Sequence, residues 1–204
     1  MLATRGCPYE CTFCSNPEMW TTRWVARSPG QVLDEIQMYQ ERFGATNFDF
    51  YDLTAIVKRS WIIEFTQMIL DRKMVFTWQL PSGTRSEAID DEVSRRLYAS
   101  GCRNMSYAPE SGSPAVLKRI KKVVKLERLE ASVRGAVRSK LNVKLNIIMG
   151  FPSESRSELR ETVRFLFRMG LAGVHDMSIS IFSPYPGSEL YHDLRKSGKI
   201  PDLS

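Results

Sequence analysis

The amino-acid sequence specifies an α/β protein built on a parallel sheet. Three observations carry that reading: six strand-like runs alternate with six helix-like runs, capping residues punctuate the helices, and 204 residues suit six strand–helix units. Each helix in such an alternation returns the chain to the edge where the next strand begins, so the strands run parallel. The units average about 34 residues, the size of a strand–helix–strand repeat, whereas a closed eight-unit barrel typically needs about 250 residues. The economical arrangement is a partial, open (β/α)6 TIM-like barrel, with a doubly wound flat sheet as the alternative.

The expected strands are Leu2 to Arg5, Thr46 to Tyr51, Met74 to Leu80, Arg103 to Tyr107, Asn142 to Met149 and Val174 to Phe182. After the first, Ser28, Pro29 and Gln31 spell a capping box with proline at the first helical position, and Val32, Ile36, Tyr39 and Phe43 line one helix face up to Gly44. Gly101 and Gly170 are read as closing two later helices, since glycine ends a helix in the left-handed conformation without steric cost. Ser113 and Pro114 open another helix, and Ser155 with Glu158 forms a second capping box ahead of Leu159, Val163 and Leu166. No flexible linker or low-complexity stretch interrupts the alternation, so residues 1–204 are expected to form one domain.

With 43% hydrophobic and 25% charged residues the composition is globular, and a chain of this length buries a sufficient core without disulfides or metals. Folding alone therefore does not account for its four cysteines. No apolar run nears the roughly 18 to 20 residues of a membrane span. The N-terminus enters a cysteine cluster at residue 7 and lacks the apolar core of a signal peptide, so a cytoplasmic, reducing setting is expected. The net charge of +6 is local: Lys118 to Lys140 hold nine Lys or Arg against two Glu, a local +7, which leaves −1 for the rest. Leu126, Leu129, Val133 and Val137 recur there at helical spacing, which favours the wet face of an amphipathic helix over an RNA-binding surface.

Cys7, Cys11 and Cys14 follow the first expected strand directly, in Arg5-Gly6-Cys7-Pro8-Tyr9-Glu10-Cys11-Thr12-Phe13-Cys14. Three thiolates this close converge on one object only if the chain wraps around it, and soft sulfur ligands select iron–sulfur, zinc or copper(I) centres. Structural zinc wants four ligands, usually as two close pairs. Here the fourth cysteine, Cys102, lies 88 residues beyond Cys14, and the nearest histidine is His175. A metal centre with one open position follows, with a zinc loop or a disulfide pair as the structural alternatives; Cys102 beside Gly101 reads as a core thiol. The three-then-two spacing, with Phe13 before the last cysteine, resembles the signature of the radical S-adenosylmethionine superfamily, and the resemblance covers essentially the whole chain. It implies that Cys7, Cys11 and Cys14 bind three irons of a [4Fe–4S] cluster. The fourth iron would be chelated by the amino and carboxylate groups of S-adenosylmethionine, whose reductive cleavage gives a 5′-deoxyadenosyl radical.

Strand ends of a parallel sheet share one face, where ligands bind in such folds. Asp52 and Thr54 follow the second expected strand, and Ser82, Gly83 and Arg85 the third. Glu110, Ser111 and Gly112 follow the fourth, Gly150, Phe151 and Pro152 the fifth, and Ser183 to Pro186 the sixth. One such residue would be a turn or a cap; six strand ends in register favour a site. Several of these runs resemble the cobalamin-binding branch of the superfamily. Pro109-Glu110-Ser111-Gly112-Ser113, followed by Val116, Leu117, Ile120 and Lys122, is similar to its fourth-strand motif, which nominates Glu110, Ser111 and Lys122 as S-adenosylmethionine ligands. The runs Ile148 to Ser155 and Phe182 to Ser188 resemble the fifth- and sixth-strand motifs, with serine in place of threonine. The branch often has paired aspartates at the second strand end. Asp52 keeps the first, implied to accept from the cofactor's ammonium, and Leu53 replaces the second; a helix cap is the alternative reading of Asp52. The resemblance also sets Phe13 against the adenine and makes Arg85 a candidate for a carboxylate or the substrate.

What the resemblance implies is C–H activation. In this branch that is commonly methyl transfer from methylcobalamin to an unactivated carbon, with cyclases alongside, on a small-molecule or lipid substrate and with an electron donor such as flavodoxin or ferredoxin. The family's N-terminal cobalamin domain and C-terminal segment are expected to lie outside these 204 residues, so cobalamin would belong to the full-length protein. Two alternatives stand: an RNA-modifying radical methylthiotransferase, using the Lys118 to Lys140 face, and a non-enzymatic iron–sulfur or zinc module. These 204 residues contain no RNA-binding barrel, so nucleic acid is expected to rank below a small molecule.

Overall fold

The computed structural model describes residues 1–201. Two short strands open the chain, β1 (Thr4–Arg5) and β2 (Val25–Ala26), paired antiparallel. Five parallel strands follow and lie side by side in chain order: β3 (Asn47–Asp49), β4 (Thr77–Thr84), β5 (Cys102–Glu110), β6 (Asn142–Met149) and β7 (Asp176–Ile181). Between them run α1 (Asn16–Met19), α2 (Pro29–Phe43), α3 (Arg59–Asp71), α4 (Asp91–Ala99), α5 (Pro114–Arg119), α6 (Leu126–Arg138) and α7 (Arg156–Leu171), with α8 (Glu189–Lys196) last. A strand order that never reverses has no switch point, which selects the open, partial barrel over the doubly wound sheet.

The expected first strand does not join the parallel sheet. Its start does meet β3, with the Met1 amine donating to Asp49 O and Tyr51 N–H donating to Met1 O at 3.0 Å. Beyond that pair Asp52 intervenes. Its Oδ1 accepts the Ala3 N–H at 3.0 Å, the Thr4 N–H, and the Thr4 hydroxyl at 2.6 Å, and so consumes the donors a sixth parallel strand would have offered.

Both expected capping boxes form, Ser28 with Gln31 at α2 and Ser155 with Glu158 at α7, and Gly44 closes α2 in the left-handed conformation. Gly101 likewise follows α4 at φ +96°, but Gly170 lies inside α7 and the left-handed residue is Gly173. The helix continues because Phe165, Met169 and Ala172 keep burying one stripe past Gly170.

The helices cover one side of the sheet, against Phe48, Trp78, Leu80, Met105, Tyr107, Val143, Leu145 and Ile147. Alternate residues on the other side are polar and bonded across strands. Gln79 donates to Asp49 at 2.7 Å, Asn104 to Gln79 at 2.9 Å and Asn142 to Asn104 at 2.9 Å, while Lys144 pairs with Asp176 at 3.0 Å. A parallel sheet covered on both faces is apolar throughout, so this polar side is the open inner face of the partial barrel. In α6, Leu126, Leu129 and Val133 are buried while Val137 is half-buried, and the basic side chains Arg134 and Arg138 pair with Glu130 and Asp91. Among the described residues no helix is long and apolar enough to cross a membrane.

Candidate active site

The cysteine loop is shaped by residues that were silent in the sequence. Gly6 enters it at φ +74°, and a Cβ there would lie 2.3 Å from the Arg23 carbonyl oxygen, so only glycine passes. The Asn16 side-chain amide donates to Cys7 O at 3.2 Å and to Thr21 O at 3.4 Å, closing the loop on itself. Thr12 pins it to two helix ends: its N–H donates to Ile120 O at 3.1 Å, and its carbonyl accepts the Leu190 N–H at 2.9 Å.

All four cysteines are free thiols. Thr54 Oγ1 lies 3.3 Å from Cys7 Sγ, its proton shared with Leu53 O at 2.8 Å, and the Asn16 N–H donates to Cys14 Sγ at 3.4 Å. Cys11 is buried, and desolvation pushes its thiol up, with Lys122 opposing. Cys102 is fully buried on β5, where desolvation raises its thiol strongly, so it is core material. Among the described residues no three His, Cys, Asp or Glu are grouped as a single metal ion would need. An iron–sulfur cluster does not demand that grouping, because each thiolate takes a different iron. The all-sulfur donor set, with N–H and O–H donors aimed at two of the sulfurs, fits such a cluster.

Phe13 connects this loop to a cavity of about 310 Å³ at the C-terminal ends of β5 to β7, lined also by Glu110, Asn146, Ile148, Ser180 and Phe182. Glu110 is buried and holds φ +69°, a conformation costly for a residue with a Cβ. Lys122 Nζ lies 2.9 Å from Glu110 Oε1, with both side chains about nine-tenths buried. The same ammonium stands 5.9 Å from the Phe13 ring centroid, and Phe13 packs on Phe151 at 5.6 Å. Glu110, Lys122, Phe13 and the three cysteines are thus brought to one place.

Three other nominated residues are directed elsewhere. Ser111 is fully buried; its Oγ bonds Thr162 Oγ1 at 3.0 Å and accepts the Ser113 N–H at 3.1 Å, so it fastens the turn after β5 to α7. Gly112 belongs to that junction, since a Cβ there would sit 2.4 Å from Phe165 Cβ. Asp52 is neither a helix cap nor turned to the cavity: it is fully buried, occupied by Ala3 and Thr4 through Oδ1, and its Oδ2 has no partner. Arg85 is 7% exposed, and its guanidinium lies over the Tyr9 ring and donates to Val123 O. In each case the polar strand-end residue has partners within the protein, with Asp52 Oδ2 and Arg85 Nε left unbonded. Sequence reasoning also passed over Asn16 and Thr162, which carry no spacing signal, and Asn146, whose place in the alternation along β6 could have put it on the inner face.

The radical SAM superfamily model matches residues 1–166, and the chain belongs to that superfamily. Membership makes S-adenosylmethionine and a [4Fe–4S] cluster the cofactors of this core. The chain is 26% identical over 191 residues to an uncharacterized methyltransferase of Pyrococcus horikoshii, covering 94% of this chain and 40% of the relative. It is 27% identical over 198 residues to bacteriochlorophyllide d C-12(1)-methyltransferase of Chlorobaculum tepidum, covering 96% and 42%. Among solved structures, the radical S-adenosylmethionine methyltransferase TsrM from Kitasatospora setae, with cobalamin and a [4Fe–4S] cluster bound, superposes with a TM-score of 0.80 at 18% identity. That match covers 97% of this chain and 36% of TsrM and shows the shared fold. The chain spans about two fifths of the length of the curated relatives it matches.

Proposed function

We propose that this chain is the radical core of a cobalamin-dependent methyltransferase acting on an unactivated carbon of a small molecule. The observation that carries the proposal is the meeting of the cysteine loop, through Phe13, with the buried Glu110–Lys122 pair, whose Glu110 holds a left-handed backbone. Cys7, Cys11 and Cys14 would hold the [4Fe–4S] cluster, and Glu110, Lys122 and Phe13 would face S-adenosylmethionine. When bound, these cofactors supply one-electron cleavage of a carbon–sulfur bond and, from it, removal of hydrogen from substrate. The chain's own residues bind and orient. Glu110 offers a carboxylate to amino or hydroxyl groups, Lys122 a cation to a carboxylate, and Phe13 a ring face, while the apolar Ile148 and Phe182 limit water at the cavity wall.

Methyltransferases among the relatives support methyl transfer, with the cyclases also among them leaving ring formation as the second reading, and cobalamin, bound in the structural neighbour TsrM, is assigned to the full-length protein. An RNA substrate falls behind because Arg134 and Arg138 are engaged by acidic side chains. A small redox protein such as flavodoxin or ferredoxin, in a cytoplasmic setting, would deliver the electron.

Anaerobic reconstitution should give about four irons per chain. Alanine at Cys7, Cys11 or Cys14 should abolish them and Cys102→Ala should retain them; equal iron in Cys11→Ala and Cys102→Ala would remove the cluster assignment. Glu110→Gln or Lys122→Met should weaken S-adenosylmethionine binding about tenfold or more, the loss of one charge-assisted contact, without changing the cluster spectrum. Full-length protein with cobalamin and methyl-labelled S-adenosylmethionine should give a labelled product. 5′-Deoxyadenosine alone, from a substrate-competent preparation, would keep the radical chemistry and exclude methyl transfer.

A further inference from the structure

We infer that Arg85 is a positioning residue that clamps the cysteine loop, and not a contact to cofactor or substrate. The inference rests on the cluster reading above. Arg85 follows the C-terminal end of β4, on the ligand-facing edge of the sheet, yet only 8% of its side chain is exposed. Its Cζ stands 3.8 Å from the Tyr9 ring centroid, face-on stacking distance; the next shortest such contact among the described residues is 4.5 Å. The edge of the same guanidinium donates from Nη2 to the carbonyl of Val123. Tyr9 lies between Cys7 and Cys11, and Val123 follows Lys122. One planar group thereby holds the cysteine loop by its face and, by its edge, the Val123 carbonyl next to Lys122.

Burying a guanidinium is costly unless partners replace its water. The acidic partner is Glu87, 3.3 Å from Nε, but neither Nε nor Glu87 Oε2 has a hydrogen bond, so this pair lacks the geometry to carry the load alone. The Tyr9 ring therefore supplies much of the compensation, and the dependence is mutual: without Arg85 the ring loses the plate that fixes it. Lysine has neither the plane to stack nor the fork to reach Val123 at the same time, so Arg85→Lys should not substitute.

The test uses the reconstituted holoprotein and follows two signals, the rate at which a chelator bleaches the cluster and the electron paramagnetic resonance of the reduced cluster with and without S-adenosylmethionine. Tyr9→Phe, which keeps the ring, should match the parent. Arg85→Met, Arg85→Lys and Tyr9→Leu should each bleach on the order of tenfold faster, the factor a desolvated cation–π contact implies. They should also share one altered resonance already present before S-adenosylmethionine is added. Arg85→Met combined with Tyr9→Leu should be no worse than either alone. If Arg85→Met does not fold, Tyr9→Leu against Tyr9→Phe carries the same comparison. Additive effects of the two substitutions, or an Arg85→Met protein with parental bleaching and resonance but weakened S-adenosylmethionine binding, would overturn the clamp and return Arg85 to the cofactor. A parent protein that takes up no cluster would overturn the proposed function together with it.

Discussion

Asp52 separates a structural from a cofactor-binding carboxylate more sharply than any other position. Its Oδ1 accepts from Ala3 N, Thr4 N and Thr4 Oγ1, and the whole residue is buried. Asp52→Ala leaves three donors without their acceptor. At about 1 kcal/mol for each bond the loss is about 3 kcal/mol, and more where the donors stay dry. Asp52→Asn keeps an oxygen in the same position and places an amide where Oδ2 now has no partner, so its cost should stay within about 1 kcal/mol. The two variants also differ in pH dependence. Burial pushes the Asp52 carboxyl above its ordinary value, against the lowering influence of Thr4 and Ala3. As pH rises from the ordinary aspartate range near ~4, the unfolded chain ionises first, so the parent loses stability until the pH has passed the raised folded value. Asparagine has no such loss, and the stability difference should shift toward Asp52→Asn across that window. Urea unfolding at several pH values measures both effects, and calorimetric titration with S-adenosylmethionine measures the alternative. A tenfold loss of S-adenosylmethionine affinity in Asp52→Asn with an unmoved urea midpoint would refute the reasoning and restore Asp52 as a ligand of the cofactor's ammonium.

Two further substitutions test the frame of the site. Ser111→Ala should destabilise the protein by about 1 to 2 kcal/mol, because Thr162 Oγ1 and the Ser113 N–H lose a buried partner, while S-adenosylmethionine affinity stays parental; titration and thermal melting of the same samples decide it. Gly6→Ala combines a left-handed backbone, about 1 to 2 kcal/mol for a residue with a Cβ, with a clash against the Arg23 carbonyl oxygen that only a moved loop relieves. Iron uptake should fall well below that of the parent although the sheet still folds, as iron analysis beside far-ultraviolet circular dichroism would register.

Features encoded among neighbouring residues are legible in the sequence. The alternation of periods gave the parallel sheet, and β6 runs from Asn142 to Met149 as expected. The capping boxes at Ser28 and Ser155 form because both partners sit three residues apart on one turn. The cysteine spacing led to the superfamily for the same reason: the ligands of the loop are close in sequence. The use to which each polar strand end is put was not legible. Asp52 meets Thr4 across 48 residues, Ser111 meets Thr162 across 51, and Arg85 reaches back to Tyr9 from the end of another strand. A carboxylate, hydroxyl or guanidinium has the same chemistry whether it faces a ligand or the protein. Burial requires each one to find partners, and distant segments supply those partners only once they are folded against it. Glu110, at the cavity wall, is paired with Lys122, whereas Asp52 and Ser111 are bound up in holding β1 and α7 in place.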